Sequence, residues 1–154
     1  MATYGSEQGV EGINAHQIGG YTASTTPTSA QVAVFLTQGA SLIDTALARA
    51  GYVVPVASTA TCYQAVVRLN DLFAAAAAEQ AVNISDAMPG QTTRSDKLWQ
   101  AYEAELKYLL EGDLTTAGVP LTTSAASPRK RIRSLPTRHF DGYAVNADDL
   151  ATDY

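Results

Sequence analysis

Three segments of the chain carry apolar residues at the three-and-four spacing that is typical of amphipathic helices. The first runs from about 29 to 50, and Thr28 and Gln31 precede it at the spacing of a capping box. Gly51 follows directly as a stop signal. Its apolar positions are Val32, Phe35, Leu36, Leu42, Ile43, Ala46, Leu47 and Ala50. We expect this helix to be a main element of the core.

A second helix is predicted over about 58–82 and a third over about 95–111, with Ser58 and Ser95 as candidate caps. The second contains the alanine run 74–78, and alanine lets a neighbouring backbone approach closely. The apolar residues of the two helices are Cys62, Val66, Leu69, Phe73, Ala76, Leu98, Tyr102, Leu106 and Leu109. The pattern predicts an all-α fold, a small antiparallel bundle of three main helices.

Outside these helices the chain has different patterns. Residues 1–27 form an N-terminal lead-in rich in Gly, Ser, Thr and Gln, with a possible short helix around 6–16 that Gly9 and Gly12 weaken. The apolar, proline-containing segment 52–56 is predicted to be an extended connector against the core. We therefore divide the chain into the lead-in, a helical core over 28–112 and a long extended C-terminal arm over 113–154.

The C-terminal arm begins where the apolar periodicity ends and has two parts of opposite charge. No acidic residue lies between 129 and 138, whereas 28–112 has five basic and eight acidic residues. The segment 140–154 is acidic, and its aromatic residues have nothing local to bury against, which suits a segment that orders on a partner. Ordinary disorder is the alternative. The candidate partner-binding residues are Arg129, Lys130, Arg131, Arg133, Arg138, Phe140 and Tyr143.

Length and composition narrow the class of protein. A chain of 154 residues favours one domain, and a net charge of −5 argues against general binding to nucleic acid. The single cysteine, Cys62, excludes an internal disulfide and a paired-cysteine zinc module. The N-terminus resembles no signal peptide, and no apolar run approaches the roughly 20 residues that span a bilayer. We expect a soluble protein.

Residues that could carry chemistry are sparse. The sequence has no nucleotide-binding loop, paired-cysteine metal site or nucleophile-elbow pattern. His16 and His139 have no evident acidic partner, and Cys62 lies on an apolar helix face where it packs as a small hydrophobic residue. The adjacent carboxylates of Asp148 and Asp149 are typical of solvated charge. We expect no catalytic residue, metal or cofactor, and not an enzyme.

One combination of segments resembles a known family. It consists of Pro27-Thr28 through Val32 and Phe35, Ile43-Asp44 with Leu47, Gly51-Tyr52-Val53-Val54-Pro55, Leu69-Asn70, and the alanine-rich helix ending near Glu79-Gln80-Ala81. This arrangement, over roughly 10–112, resembles the head-to-tail adaptor proteins of tailed bacteriophages. The most distinctive part is the helix end at 43–47 followed by Gly51 and Pro55.

The resemblance implies a virion structural protein at the capsid vertex, made in the host cytoplasm. Copies of a helical protomer, usually twelve, would form a ring beneath the portal protein, continue the DNA channel without sequence-specific binding, and offer a platform to a downstream connector, stopper or tail protein. By the same resemblance, the C-terminal arm would bind the portal. Its basic stretch followed by an acidic, aromatic one suggests two successive contacts, with portal first and a neighbouring subunit next.

Two alternatives belong to other classes of protein. A small DNA-binding protein would use the basic segment 128–139 as an arm, and its affinity would fall steeply with salt. An enzyme using the aspartates of the arm and His139 would need a fixed pocket that the sequence does not indicate.

Overall fold

The computed structural model describes residues 4–16, 19–82 and 92–122, and these residues form an all-α fold. Its helices are α1 (Glu7–Ile13), α2 (Ser29–Arg49), α3 (Tyr63–Val82) and α4 (Arg94–Glu111). Within the described residues, β-type pairing is limited to one isolated antiparallel bridge between Tyr52 and Leu121. The short N-terminal helix is thus present as α1, inside the predicted range 6–16.

Helix α2 begins and ends where the capping residues predict. The Thr28 backbone N–H donates to Gln31 Oε1 over 2.8 Å, and the Gln31 N–H donates to Thr28 Oγ1 over 3.3 Å, which completes the capping box. At the other end Gly51 takes a φ of 90°, and its N–H donates to Ala48 O. This left-handed residue ends the helix because it turns the chain away from the axis.

Helix α3 begins at Tyr63, five residues later than predicted, so Ser58 is not its cap. Residues 58–62 form turns in which the N–H of Ala60 bonds to Ala57 O and that of Tyr63 to Ala60 O. The Thr61 N–H donates instead to Ala117 O, far along the chain. This long-range contact satisfies an amide that would have lain, without an intrahelical acceptor, in the first turn of the predicted helix. Cys62 therefore lies just before α3 rather than within it.

Helix α4 begins one residue earlier than predicted, and its cap is Thr93 rather than Ser95. Thr93 and Asp96 form the capping box, with hydrogen bonds of 2.8 and 3.1 Å. The Ser95 hydroxyl is buried and donates to Ala76 O on α3 over 3.2 Å. A serine that holds two helices together is not available to cap one of them.

Helix α3 lies at the centre of the fold and packs against each of the other three helices. Gly39 allows α2 to approach closely, since a Cβ there would lie 2.2 Å from the Asn70 side-chain oxygen. On the other side, Phe73, Trp99 and Tyr102 meet edge to face, with ring centroids 5.1 to 5.9 Å apart. Alanine and glycine positions therefore set the short spacing on one side, and aromatic rings fill the other.

Two flanking segments also contribute to the core. Tyr4, Val10 and Tyr21 of the lead-in are buried against α2 and α3. Residues 113–122, the first ten of the predicted arm, pack on the connector 52–56, with Leu114 and Val119 buried. The connector packs against the core as predicted, because Tyr52 and Val56 are buried in it. Val53 N–H also donates to Pro120 O over 2.8 Å.

Candidate interaction surfaces

The residues predicted to bind a partner lie in one segment of the chain. Arg129, Lys130, Arg131, Arg133, Arg138, Phe140 and Tyr143 all fall within 123–154, outside the described residues. The basic segment 128–139 of the DNA-binding alternative falls there too. These predictions stay predictions, and the surfaces described below belong to the described residues.

A polar anchor holds the start of the chain on the bundle. The Tyr4 hydroxyl donates to Asp44 Oδ1 over 2.6 Å and accepts the Val56 N–H over 2.7 Å. Burial, followed by the hydrogen bond to Asp44, raises the pKa of Tyr4 above its usual range. The phenol therefore stays protonated at physiological pH and links the lead-in, α2 and the connector.

Two adjacent polar residues in the middle of α3 extend this anchor. The Asn70 amide donates to Leu36 O over 3.0 Å and also to Tyr4 O. Asp71 Oδ1 accepts the Ser6 N–H over 3.0 Å at the start of α1. Because Asp71 is buried, desolvation raises the pKa of its carboxyl, with the Ser6 hydrogen bond acting in the opposite direction.

A buried carboxylate holds the end of α1. Glu79 is 3% exposed, and its Oε1 lies 2.9 Å from His16 Nε2 and 3.3 Å from Arg94 Nε. Arg94 Nη2 also donates to Ile13 O over 2.6 Å. The expectation that His16 has no acidic partner is therefore wrong. Sequence separation hid the pair, although a glutamate in an alanine-rich buried helix face was a signal that it needed partners.

An apolar groove of about 480 Å³, which we call the α3–α4 groove, lies between the first half of α3 and the second half of α4. Its lining residues are Cys62, Ala65, Leu69, Ala104, Glu105, Tyr108, Leu109, Gly112 and Leu114. The leucines are buried, while Tyr108 is 82% exposed. Burial raises the pKa of the Cys62 thiol, which keeps it protonated. The groove offers apolar contacts rather than a reactive centre.

A second surface is the exposed side of α2, which we call the α2 outer face. Its exposed residues are Ala30, Gln31, Ala33, Val34, Thr37, Gln38, Ser41, Leu42, Thr45, Ala48 and Arg49. Among these exposed residues Arg49, at the end, is the charged one, and the half-buried Asp44 lines the same surface beside Thr37, Ser41 and Thr45. Thr37 and Thr45 donate their hydroxyls back to Ala33 O and Ser41 O over 2.9 and 2.7 Å. These two hydroxyls already donate to backbone acceptors, so covering them leaves no threonine donor unpaired.

Val34 and Leu42 are each 52% exposed on this face, although Leu42 was predicted to point toward the core. The exposed side of α4 is different, because it carries Lys97, Glu103, Lys107 and Glu111. The α2 outer face is therefore less charged than the exposed side of α4.

Within residues 4–16, 19–82 and 92–122, no group of three or more His, Cys, Asp and Glu residues is placed to hold a metal ion. Among the same residues, no helix is both long enough and apolar enough to cross a membrane. Comparison of the chain with protein-family models, curated proteins and solved structures gives no match.

Proposed function

We propose that this chain is a virion structural adaptor without catalytic activity. Copies of it would form a ring, of twelve subunits as the resemblance implies, between the portal protein at the capsid vertex and a downstream connector, stopper or tail protein. DNA would pass through the ring without sequence-specific contacts. The proposal rests on the resemblance over 10–112 together with one structural observation, the nearly uncharged α2 outer face.

The α2 outer face is the proposed contact between neighbouring subunits. The helix has 21 residues, which makes it about 30 Å long at 1.5 Å per residue. Its small side chains let another helix approach closely, and Val34 and Leu42 supply apolar area at its middle. In a closed ring of more than two subunits this face meets a different face of the next subunit. Few charges need to be desolvated when it is covered, because Arg49 lies at its end and Asp44 is half-buried and accepts the Tyr4 hydrogen bond.

The rigid body of the protomer is, in this proposal, an antiparallel bundle of α2, α3 and α4. Helix α3 packs on both of the others, and the polar anchor ties the lead-in to them. Such a body keeps the α2 outer face in a constant orientation, which a closed ring requires. The C-terminal residues Arg129, Lys130, Arg131, Arg133, Arg138, Phe140 and Tyr143 are then the proposed portal-binding residues.

The oligomeric state of the full chain tests the proposed interface. We expect native mass spectrometry, with the portal present as a template, to detect multimers of the chain. Val34→Glu combined with Leu42→Glu should abolish them, because two carboxylates would be buried unpaired in each contact. Gln100→Glu adds a charge to the exposed side of α4 and should leave the multimers intact. Unchanged multimers in the double variant would place the contact elsewhere.

A further inference from the structure

The α3–α4 groove is large and apolar enough to bind one bulky apolar side chain. Its lining includes the small residues Cys62, Ala65, Ala104 and Gly112 together with buried leucines. Small lining residues leave room for an aromatic ring, and a volume of about 480 Å³ is large enough for one ring and the backbone next to it. Covering these apolar residues removes them from water, which is favourable.

The described chain ends close to this groove. The Thr122 N–H donates to Gly51 O over 2.9 Å. The next residue, Tyr52, reaches the groove wall, since its hydroxyl accepts the Leu114 N–H over 3.3 Å and lies 3.4 Å from Gly112 O. Phe140 follows Thr122 by 18 residues, which span up to about 60 Å when extended. The arm of the same chain can therefore reach its own groove.

The charges around the groove also favour binding of the C-terminal arm. Glu105 lines the groove, and Glu111 and Asp113 flank Gly112 at the end of α4. The last turn of α4 has no basic residue, so the negative end of the helix dipole adds to these carboxylates. Arg68 and Lys107 offset part of this charge through pairs with Glu105 and Glu111. The segment 129–138 brings five cations and no acid directly before Phe140.

We propose that residues 129–143 of the same chain dock on the α3–α4 groove in the free protomer. Phe140 inserts between α3 and α4, and the cations of 129–138 lie along the acidic end of α4. If the adaptor function holds, docking withholds Phe140 and Tyr143 from the portal until the portal displaces them. The docking itself requires no portal, so its test is independent of the proposed function.

Disulfide trapping in the full chain tests the docking, because Cys62 lines the groove and is the only native cysteine. Asp141→Cys keeps the Phe140 ring that is proposed to insert, and on oxidation in dilute solution it should form an intrachain disulfide with Cys62. Tyr154→Cys is the matched control. If the arm were unattached, the two variants would form the disulfide with Cys62 at rates that differ by only about 2-fold, because the connecting chains differ in length. If the arm docks, we expect the disulfide to form more than about 10-fold faster than in Tyr154→Cys, well beyond that chain-length effect.

Comparable rates in the two variants would overturn the proposal. A disulfide between chains that dominates in dilute solution would also overturn it, because the occupant would then be the arm of another copy. Mass spectrometry of the digested product distinguishes the intrachain from the interchain bond.

Labelling of the native thiol gives a second measurement without a new cysteine. Cys62 should react with a maleimide several-fold faster in the full chain carrying Phe140→Ser and Tyr143→Ser than in the native chain. Leu150→Ser is the matched control and should label at the native rate. High salt should accelerate labelling of the native chain, since it screens the cations from the acidic rim. Equal labelling rates in all three chains would contradict the docking.

Discussion

The hydroxyl of Tyr4 donates a hydrogen bond of 2.6 Å to Asp44, which lies 40 residues further along the chain on α2. The same oxygen accepts the buried N–H of Val56 over 2.7 Å. One side chain from the lead-in therefore satisfies polar groups on both α2 and the connector. The lead-in is a structural part of the core and holds α2 in place beneath the proposed subunit contact.

Removal of this hydroxyl should destabilise the protein. Tyr4→Phe keeps the ring but leaves the Val56 N–H without its acceptor, and we expect a loss of about 2 kcal/mol in the free energy of unfolding. Urea denaturation followed by circular dichroism measures it. Tyr108→Phe removes a hydroxyl from a ring that is 82% exposed and should change stability by less than about 0.5 kcal/mol. Similar values for both variants would contradict the role of the anchor.

Two glycines of α1 should respond in opposite directions to alanine. A Cβ at Gly9 would lie 2.2 Å from Asp71 Oδ2, whereas one at Gly12 would meet nothing within 4 Å. Gly12→Ala should therefore stabilise the protein by up to about 1 kcal/mol through helix propensity alone. Gly9→Ala should destabilise it, because Asp71 must move and lose the Ser6 N–H. Thermal unfolding of the two variants makes the comparison, and an equal gain in both would show that Asp71 does not constrain α1.

The raised pKa of Asp71 predicts an unusual pH dependence. The folded protein holds this proton more tightly than the unfolded chain does, so ionisation costs stability as the pH rises from the usual aspartate pKa of about 3.9 through the folded value. Asp71→Asn removes that cost while an amide oxygen can still accept the Ser6 N–H. The variant should be more stable than the native chain near neutral pH, and its advantage should shrink in acid.

Asp96 is the matched control for this pH dependence, with the opposite sign. Backbone and side-chain hydrogen bonds from Thr93 lower the pKa of Asp96, so its contribution is present above the usual aspartate pKa and is lost as the pH falls through the folded value. Asp96→Asn should be less stable than the native chain near neutral pH, with the deficit shrinking in acid. Denaturant unfolding at several pH values measures the stability of both variants. If both changed stability in the same direction near neutral pH, the opposite pKa shifts assigned to Asp71 and Asp96 would be refuted.

The elements that local signals define could be predicted from the sequence. Thr28, Gln31 and Gly51 mark the ends of α2 because capping depends on residues within a few positions. The start of α3 could not be predicted in this way. There the Thr61 N–H bonds to Ala117 O, and no local pattern carries that contact.

The buried polar contacts were hidden for the same reason. Glu79 meets His16 and Arg94, which are 63 and 15 residues away in sequence. Leu42 fits the periodicity of a core residue but is half exposed, since the apolar stripe of α2 is wider than the surface that α3 covers. Periodicity predicts which residues are able to be buried, and tertiary packing decides which ones are.

Cryo-electron microscopy of the full chain mixed with its proposed partner, the portal protein, tests the adaptor proposal most directly. The account predicts a closed ring on the portal, with the α2 outer face at the contacts between subunits. A chain lacking 128–154 should keep its helical circular dichroism and fail to attach. Absence of ring density on the portal with the full chain would contradict the adaptor function, and attachment of the shortened chain would move the portal contact onto the helices.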